Sequence, residues 1–313
     1  MSKIITADNG QQYQTQSKGK TFGAIMAGSM ASGAVASASS AVMLPSMNKM
    51  KKLSQSCDTV QLRSAIQSTF KDGLLPAKGV EFIDIATPTK ETNLIDNILK
   101  ILQDKKVKLS DLHSENKPMA DAIQRAIPKW LRNPYNMAKL EMIVSALERG
   151  DNACYLPKGK KVIVNTEKLG LSAFHEMGHA INHNCTKFWK VMQGARGPMK
   201  LLGGTLAMTA LCKRKKLEGE EPKGIFDKAT TFVKNNVGKL VTLSFVPMVA
   251  EELMASRRGN KMAAKVLSPD MLKKVKMSNR LGALTYVTAA IVSGAAARIA
   301  SNVRDKIAAP KEV

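Results

Sequence analysis

Two of the four histidines in this 313-residue chain stand four apart in "SAFHEMGHAINH" (172–183), His175 and His179, with Glu176 directly after the first. Side chains four apart lie on one face of a helix, so the two imidazoles can converge on a single tetrahedral ion. Glu176 points to the edge of that face. From there it can take a proton from water activated by Zn2+ and return it to a leaving amine. Leu171, Phe174, Met177 and Ile181, with Ala173 and Ala180, leave an apolar surface for burial, so the segment predicts a helix. Gly178 weakens that helix slightly but lets a substrate or another backbone approach closely.

A catalytic zinc normally takes three protein ligands. His183 is eight residues past His175, about 12 Å along a straight helix, too far to share its ion. The adjacent pair Glu251 and Glu252 in "FVPMVAEELMASRRGNKMA" (245–263) is the better source, because a carboxylate beside apolar residues is costly to bury unless it is paired or metal-bound. Either glutamate satisfies that argument. Arg257 or Arg258 would supply positive charge near a developing oxyanion.

The segments "ACYLP" (153–157) and "KVIVN" (161–165), separated by Lys158, Gly159 and Lys160, read as a hairpin. If its second strand is an edge, Val162, Ile163, Val164 and Asn165 can hold an extended peptide by strand addition.

The run "NACYLPKGKKVIVNTEKL" (Asn152–Leu169), then HEMGH, then "EELMAS", resembles the integral-membrane gluzincin peptidases, the group of CAAX prenyl endopeptidases and bacterial heat-shock membrane proteases. The resemblance covers roughly Asp151 to Asn260. It implies a zincin-like core, with Glu252 rather than Glu251 as third zinc ligand, and a hydrophobic hairpin (about 201–250) between HEMGH and that ligand. Ser256 stands where the family carries an aspartate. Loss of such an outer partner typically lowers metal affinity or activity about 10- to 100-fold.

Helical spacing recurs at Val60–Phe70, Leu94–Leu102, Met119–Trp130 and Met137–Leu147, so the chain should be mainly α with a small β-hairpin or sheet and membrane-associated helices. The expected organisation is a disordered tail (1–20), a membrane helix (21–48), a helical region (49–150), a metallopeptidase core (151–265), and a C-terminal helical region (266–313) with a membrane helix over 281–297. Leu201–Cys212 and Leu240–Ala250, read alone, are buried core helices; the resemblance makes them a membrane-dipping pair. The C-terminal "APKEV" reads as a frayed end.

The net charge of +23 asks for acidic partners. With aromatics at 4% and no nucleic-acid motif, stacking on bases has no platform, which argues against nucleic acid. Anionic membrane lipids fit better, since basic residues cluster at Lys49, Lys51 and Lys52, at Lys213–Lys216, at Arg257 and Arg258, and at Lys273–Lys276. Four scattered cysteines without a Cys-x-x-Cys pair indicate a reducing compartment such as the cytoplasm.

These features together point to a membrane-associated zinc endopeptidase acting on a peptide or protein substrate. Two alternatives stand beside it: a zinc-stabilised membrane protein without proteolysis, and a basic protein of membrane surfaces or nucleic acid.

Overall fold

A computed structural model describes residues 3–6, 10–87, 146, 149–157 and 159–312. The helices expected at Leu94–Leu102, Met119–Trp130 and Met137–Leu147 lie outside the described residues, Ala146 apart. What is described is mainly helical, with two small sheets. In chain order the elements are β1 (Ile4–Thr6), β2 (Gln12–Gln14), α1 (Lys18–Ala38), α2 (Ser40–Gln55), α3 (Thr59–Lys71), β3 (Glu81–Asp84), β4 (Cys154–Leu156), β5 (Lys161–Val164), α4 (Thr166–Leu169), α5 (Ala173–Cys185), α6 (Lys187–Cys212), α7 (Gly224–Ser244), α8 (Val246–Ala263), α9 (Pro269–Ile307) and β6 (Lys311–Glu312).

The chain forms two compact units that interleave in sequence. One comprises Met1–Met47, Thr186–Met254 and Arg280–Val313, the other Asn48–Cys185 and Ala255–Asn279. Helices α2, α8 and α9 contribute residues to both.

In the second unit, α3 begins at Asp58, whose carboxylate caps the helix by accepting the Gln61 N–H, and it buries Leu62 and Ile66. The expected hairpin forms, with Tyr155 opposite Val162. Its second strand is not an edge. The sheet order is β3-β5-β4, with β5 parallel to β3 and antiparallel to β4. Val162 and Ile163 are therefore paired on both sides, Val164 is paired to Asp84 of β3, all three are buried, and the Asn165 side chain caps α4 by accepting the Lys168 N–H. The physical reason is the continuous apolar run of β5, which suits a central strand covered on both faces. Its parallel partner Phe82–Asp84 lies about 80 residues upstream, where no local signal announces the pairing.

Asp84 at the end of β3 locks this sheet to the chain entering α5. Its buried carboxylate accepts from the Thr166 N–H and hydroxyl and from Arg63 Nε. The core beneath joins Leu62, Ile66, Val162, Val164, Phe174, Met177 and Val275, all buried to 1% exposure or less.

In the first unit, within the segment expected to be a disordered tail, β1 and β2 pair antiparallel, and β6 from the C-terminal "APKEV" adds to β2. The stretch 21–48 is two helices rather than one, broken at Ser39, with Pro45 inside the second. Helices α6 and α7 form a hairpin, in which Gly203 lies so close to Ser244 that a Cβ there would meet its Oγ at 2.4 Å. Ala210, Val237, Val241 and Ala297 form its small core. Large apolar side chains remain exposed on this unit, among them Phe22 and Met30 on α1, Val191 and Leu201 on α6, and Ile225 and Phe226 on α7. Among the described residues, α9 is the one helix long and apolar enough to cross a membrane.

Candidate metal centre

Helix α5 carries the sequence-selected motif because its buried stripe, Phe174, Met177 and Ala180, faces the core, while His175 lies toward its edge. Helix α8 crosses it antiparallel and at very short range. A Cβ on Gly178 would sit 2.1 Å from the Ala255 carbonyl oxygen, and one on Gly259 would sit 2.5 Å from that of Phe174. Glycine at both contacts removes the side chains that normally hold helix axes apart. Gly178 thus admits a neighbouring backbone, one of the two uses its position suggested.

Glu252 lies one helical turn before Ser256 on the continuous α8. His175, His179 and Glu252 form a group that could hold a metal ion, their ligand atoms all within 4.8 Å of one another. The imidazole planes stand at 88° with the two Nε2 atoms 2.9 Å apart. Two ring-nitrogen lone pairs at that separation repel unless a proton or a cation lies between them. On its other side, His175 Nδ1 lies 3.1 Å from Ser256 Oγ. An Nδ1–H donated to that hydroxyl puts the ring's lone pair on Nε2, the atom that faces His179. Ser256 Oγ thus stands against the ring nitrogen of His175 opposite the one that faces His179.

Glu251 and Glu252 are buried, at 0% and 1% exposure. Both are bound by Arg196 of α6: NH1 donates to Glu251 Oε2 at 3.1 Å and NH2 donates to Glu252 Oε1. A planar guanidinium suits two adjacent carboxylates better than an ammonium does. The Arg196 guanidinium also lies 5.9 Å from the centre of the Tyr286 ring. Sequence reasoning missed Arg196. The available signal was two carboxylates beside apolar residues, which require a cation, but α6 and α7 offer several, Lys190, Arg196, Lys200, Lys234 and Lys239 among them, and local spacing does not choose between them.

Glu176 is buried on α5, on the side of β4. Burial, and then the Glu176 carboxylate, push the Cys154 thiol up to about 12. His183 is not in the metal group; its ring lies 6.0 Å from that of Tyr155. Arg257 is exposed on α8. Of the residues selected from sequence, His175, His179 and Glu252 come together, Glu176 lies on the same helix as the histidines, and Val162–Asn165 lie in the paired interior of the sheet. No family model, curated protein or solved structure matches this chain.

Proposed function

We propose that this protein is a membrane-associated zinc endopeptidase with a zincin-like core, related to the membrane gluzincins that its motifs resemble. The observation that carries this reading is the convergence of His175, His179 and Glu252. The donor set fits zinc: two neutral imidazoles and one carboxylate are the three-ligand complement of catalytic zinc sites that keep a position open. Bound Zn2+ supplies Lewis-acid polarisation of a peptide carbonyl and lowers the pKa of water there.

The chain's own groups do the rest. Ser256 fixes the His175 ring, and Arg196 fixes the Glu252 carboxylate through the oxygen it engages. Glu176 takes the proton of the attacking water and passes it to the leaving amine. Because β5 is central, an extended substrate adds to β4, the outer strand among the described residues, beside Cys154 and Glu176, rather than to Val162–Asn165.

Membrane association draws support from α9 and from the exposed apolar residues of the first unit. Anionic lipids suit the basic surface, although part of it is already engaged. Between α6 and α7, Arg214 grips Glu220 through both guanidinium nitrogens, and Lys213 and Lys216 bind Asp227.

One observation favours the non-proteolytic alternative: Arg196 already neutralises Glu252. The test is hydrolysis of an unfolded protein substrate by the zinc-loaded full chain. Glu176→Gln protein that still binds zinc should lose at least about a hundredfold in rate. Equal rates for wild type and variant, or no cleavage by either, would remove the enzyme reading.

A further inference from the structure

Helices α7 and α9 run antiparallel, and their backbones nearly touch at a pair of glycines. A Cβ on Gly294 would lie 2.5 Å from the Gly238 carbonyl oxygen and 2.1 Å from Thr242 Oγ1. At and beside that crossing the helices frame a cavity of about 1070 Å³ within the first unit, with Gly238, Thr242 and Gly294 among its lining residues. Its wall carries Lys215, Lys234, Lys239 and Arg298 against one acid among the described lining residues, Asp305.

Asp305 is already satisfied. It binds Lys234 Nζ at 2.8 Å and Arg304 NH1 at 3.0 Å, and it accepts the Lys215 N–H at 3.3 Å. Lys234 is itself buried, with a further bond to the Ala210 carbonyl. The wall thus retains the positive charge of Lys215, Lys239 and Arg298, with no acidic partner among the residues lining it. Lys239 and Arg298 are exposed.

The position on α9 identifies the kind of anion. Leu281–Ala297 of this helix is an uncharged run, and Arg298 is the residue that ends it. Exposed aliphatic side chains lie to the apolar side: Leu284 and Ile291 on α9, and Leu243 in the cavity wall on α7. A cationic recess at the point where an apolar helix becomes charged faces, in a bilayer, the level of the headgroups. Basic pockets between helices at that level select acidic headgroups.

We infer that the cavity between α7 and α9 binds the phosphate-bearing headgroup of an acidic phospholipid, with Lys239 and Arg298 holding the phosphate and the acyl chains lying along Leu243 and Ile291. This site is separate from the metal group and needs no proteolytic activity, but it rests on the membrane reading of α9. Charge-assisted hydrogen bonds from a lysine and a planar guanidinium suit the phosphate oxygens. The ion pairs of Asp305 keep the one nearby carboxylate from repelling them.

The test uses the full chain purified in detergent. Retained lipid is counted by native mass spectrometry after mixing with phosphatidylglycerol or phosphatidylcholine, and flotation with vesicles of each composition is measured in parallel. Wild type should retain one phosphatidylglycerol per chain, with at least a tenfold preference over phosphatidylcholine. Lys239→Ala/Arg298→Ala protein, with unchanged far-ultraviolet circular dichroism, should lose that preference. Lys273→Ala/Lys276→Ala protein, which removes two solvated cations on the other part of α9, should keep it. Retention by the first double variant equal to wild type would overturn the inference. So would displacement of the lipid by millimolar inorganic phosphate, which would make the site one for free phosphate. A wild-type chain that floats with vesicles yet retains no phosphatidylglycerol overturns the lipid site alone, whereas one that floats with neither vesicle overturns the membrane reading as well.

Discussion

Ser256 Oγ stands 3.1 Å from His175 Nδ1, one turn along α8 from Glu252. A single helix therefore carries both a member of the candidate metal group and the hydroxyl that contacts another member. A hydroxyl accepts the Nδ1–H as a carboxylate would, but without a full charge, so it makes the imidazole a weaker base. Ser256→Ala should lower zinc affinity about tenfold or more. Ser256→Asp should restore it, and a competition titration against a chelator reads both.

The approach of α5 and α8 depends on glycine. Gly178→Ala places a methyl group where the Ala255 carbonyl oxygen already sits at 2.1 Å from the Cβ position, so the helices must separate. Overpacking of this kind costs about 1–3 kcal/mol. Thermal melting of Gly178→Ala should show that loss, and zinc, expected to raise the melting temperature of wild type, should no longer raise that of the variant. Retention of the full zinc-dependent shift would mean that Glu252 does not depend on this crossing.

Arg196 holds two buried carboxylates. Removing it strands their charge, so Arg196→Met should destabilise the protein by about 3 kcal/mol. Arg196→Lys should recover only part, because an ammonium cannot span both acids. If Glu252 is a zinc ligand, saturating zinc should restore more stability to Arg196→Met than to wild type, since the ion replaces the lost neutralisation. Denaturant melts with and without zinc measure the difference.

Cys154 offers a pH test of where Glu176 points. With its thiol pushed up to about 12, first by burial and then by Glu176, Cys154 keeps its proton in the folded state after the unfolded chain has lost it. Its contribution to stability is therefore complete below the ordinary thiol value of 9.0 and is lost as pH rises toward 12. At pH 8 only about one thiol in ten thousand would be ionised. Alkylation of Cys154 at that pH should lag far behind that of the exposed Cys185 and Cys212. Glu176→Gln should speed it, because the neighbouring negative charge is gone.

The parts legible in the sequence were those set by local spacing. The i, i+4 histidines and the apolar stripe of α5 follow from 3.6-residue periodicity, and the Cys154–Val164 hairpin follows from two β-rich runs around Gly159. What the sequence hid depends on distant partners. Whether β5 was central or edge turned on Phe82 and Ile83, about 80 residues away. The terminal sheet pairs Tyr13 with Glu312 across nearly the whole chain, through strands too short and polar to show a pattern. Arg196 is one of several basic residues on α6 and α7, and no local spacing marks it as the partner of Glu251 and Glu252. Glu252 was separable from Glu251 only by alignment to a resembled motif, and in the structure both are equally buried; only the former joins the histidine group.

The central claim is that one metal ion is held by His175, His179 and Glu252. Elemental mass spectrometry of the purified full chain, with wild type beside Glu252→Ala and Glu251→Ala, tests it most directly. The account predicts one zinc per chain in wild type and in Glu251→Ala and none in Glu252→Ala, with folding of each checked by circular dichroism. No zinc in wild type, or full occupancy in folded Glu252→Ala, would contradict it.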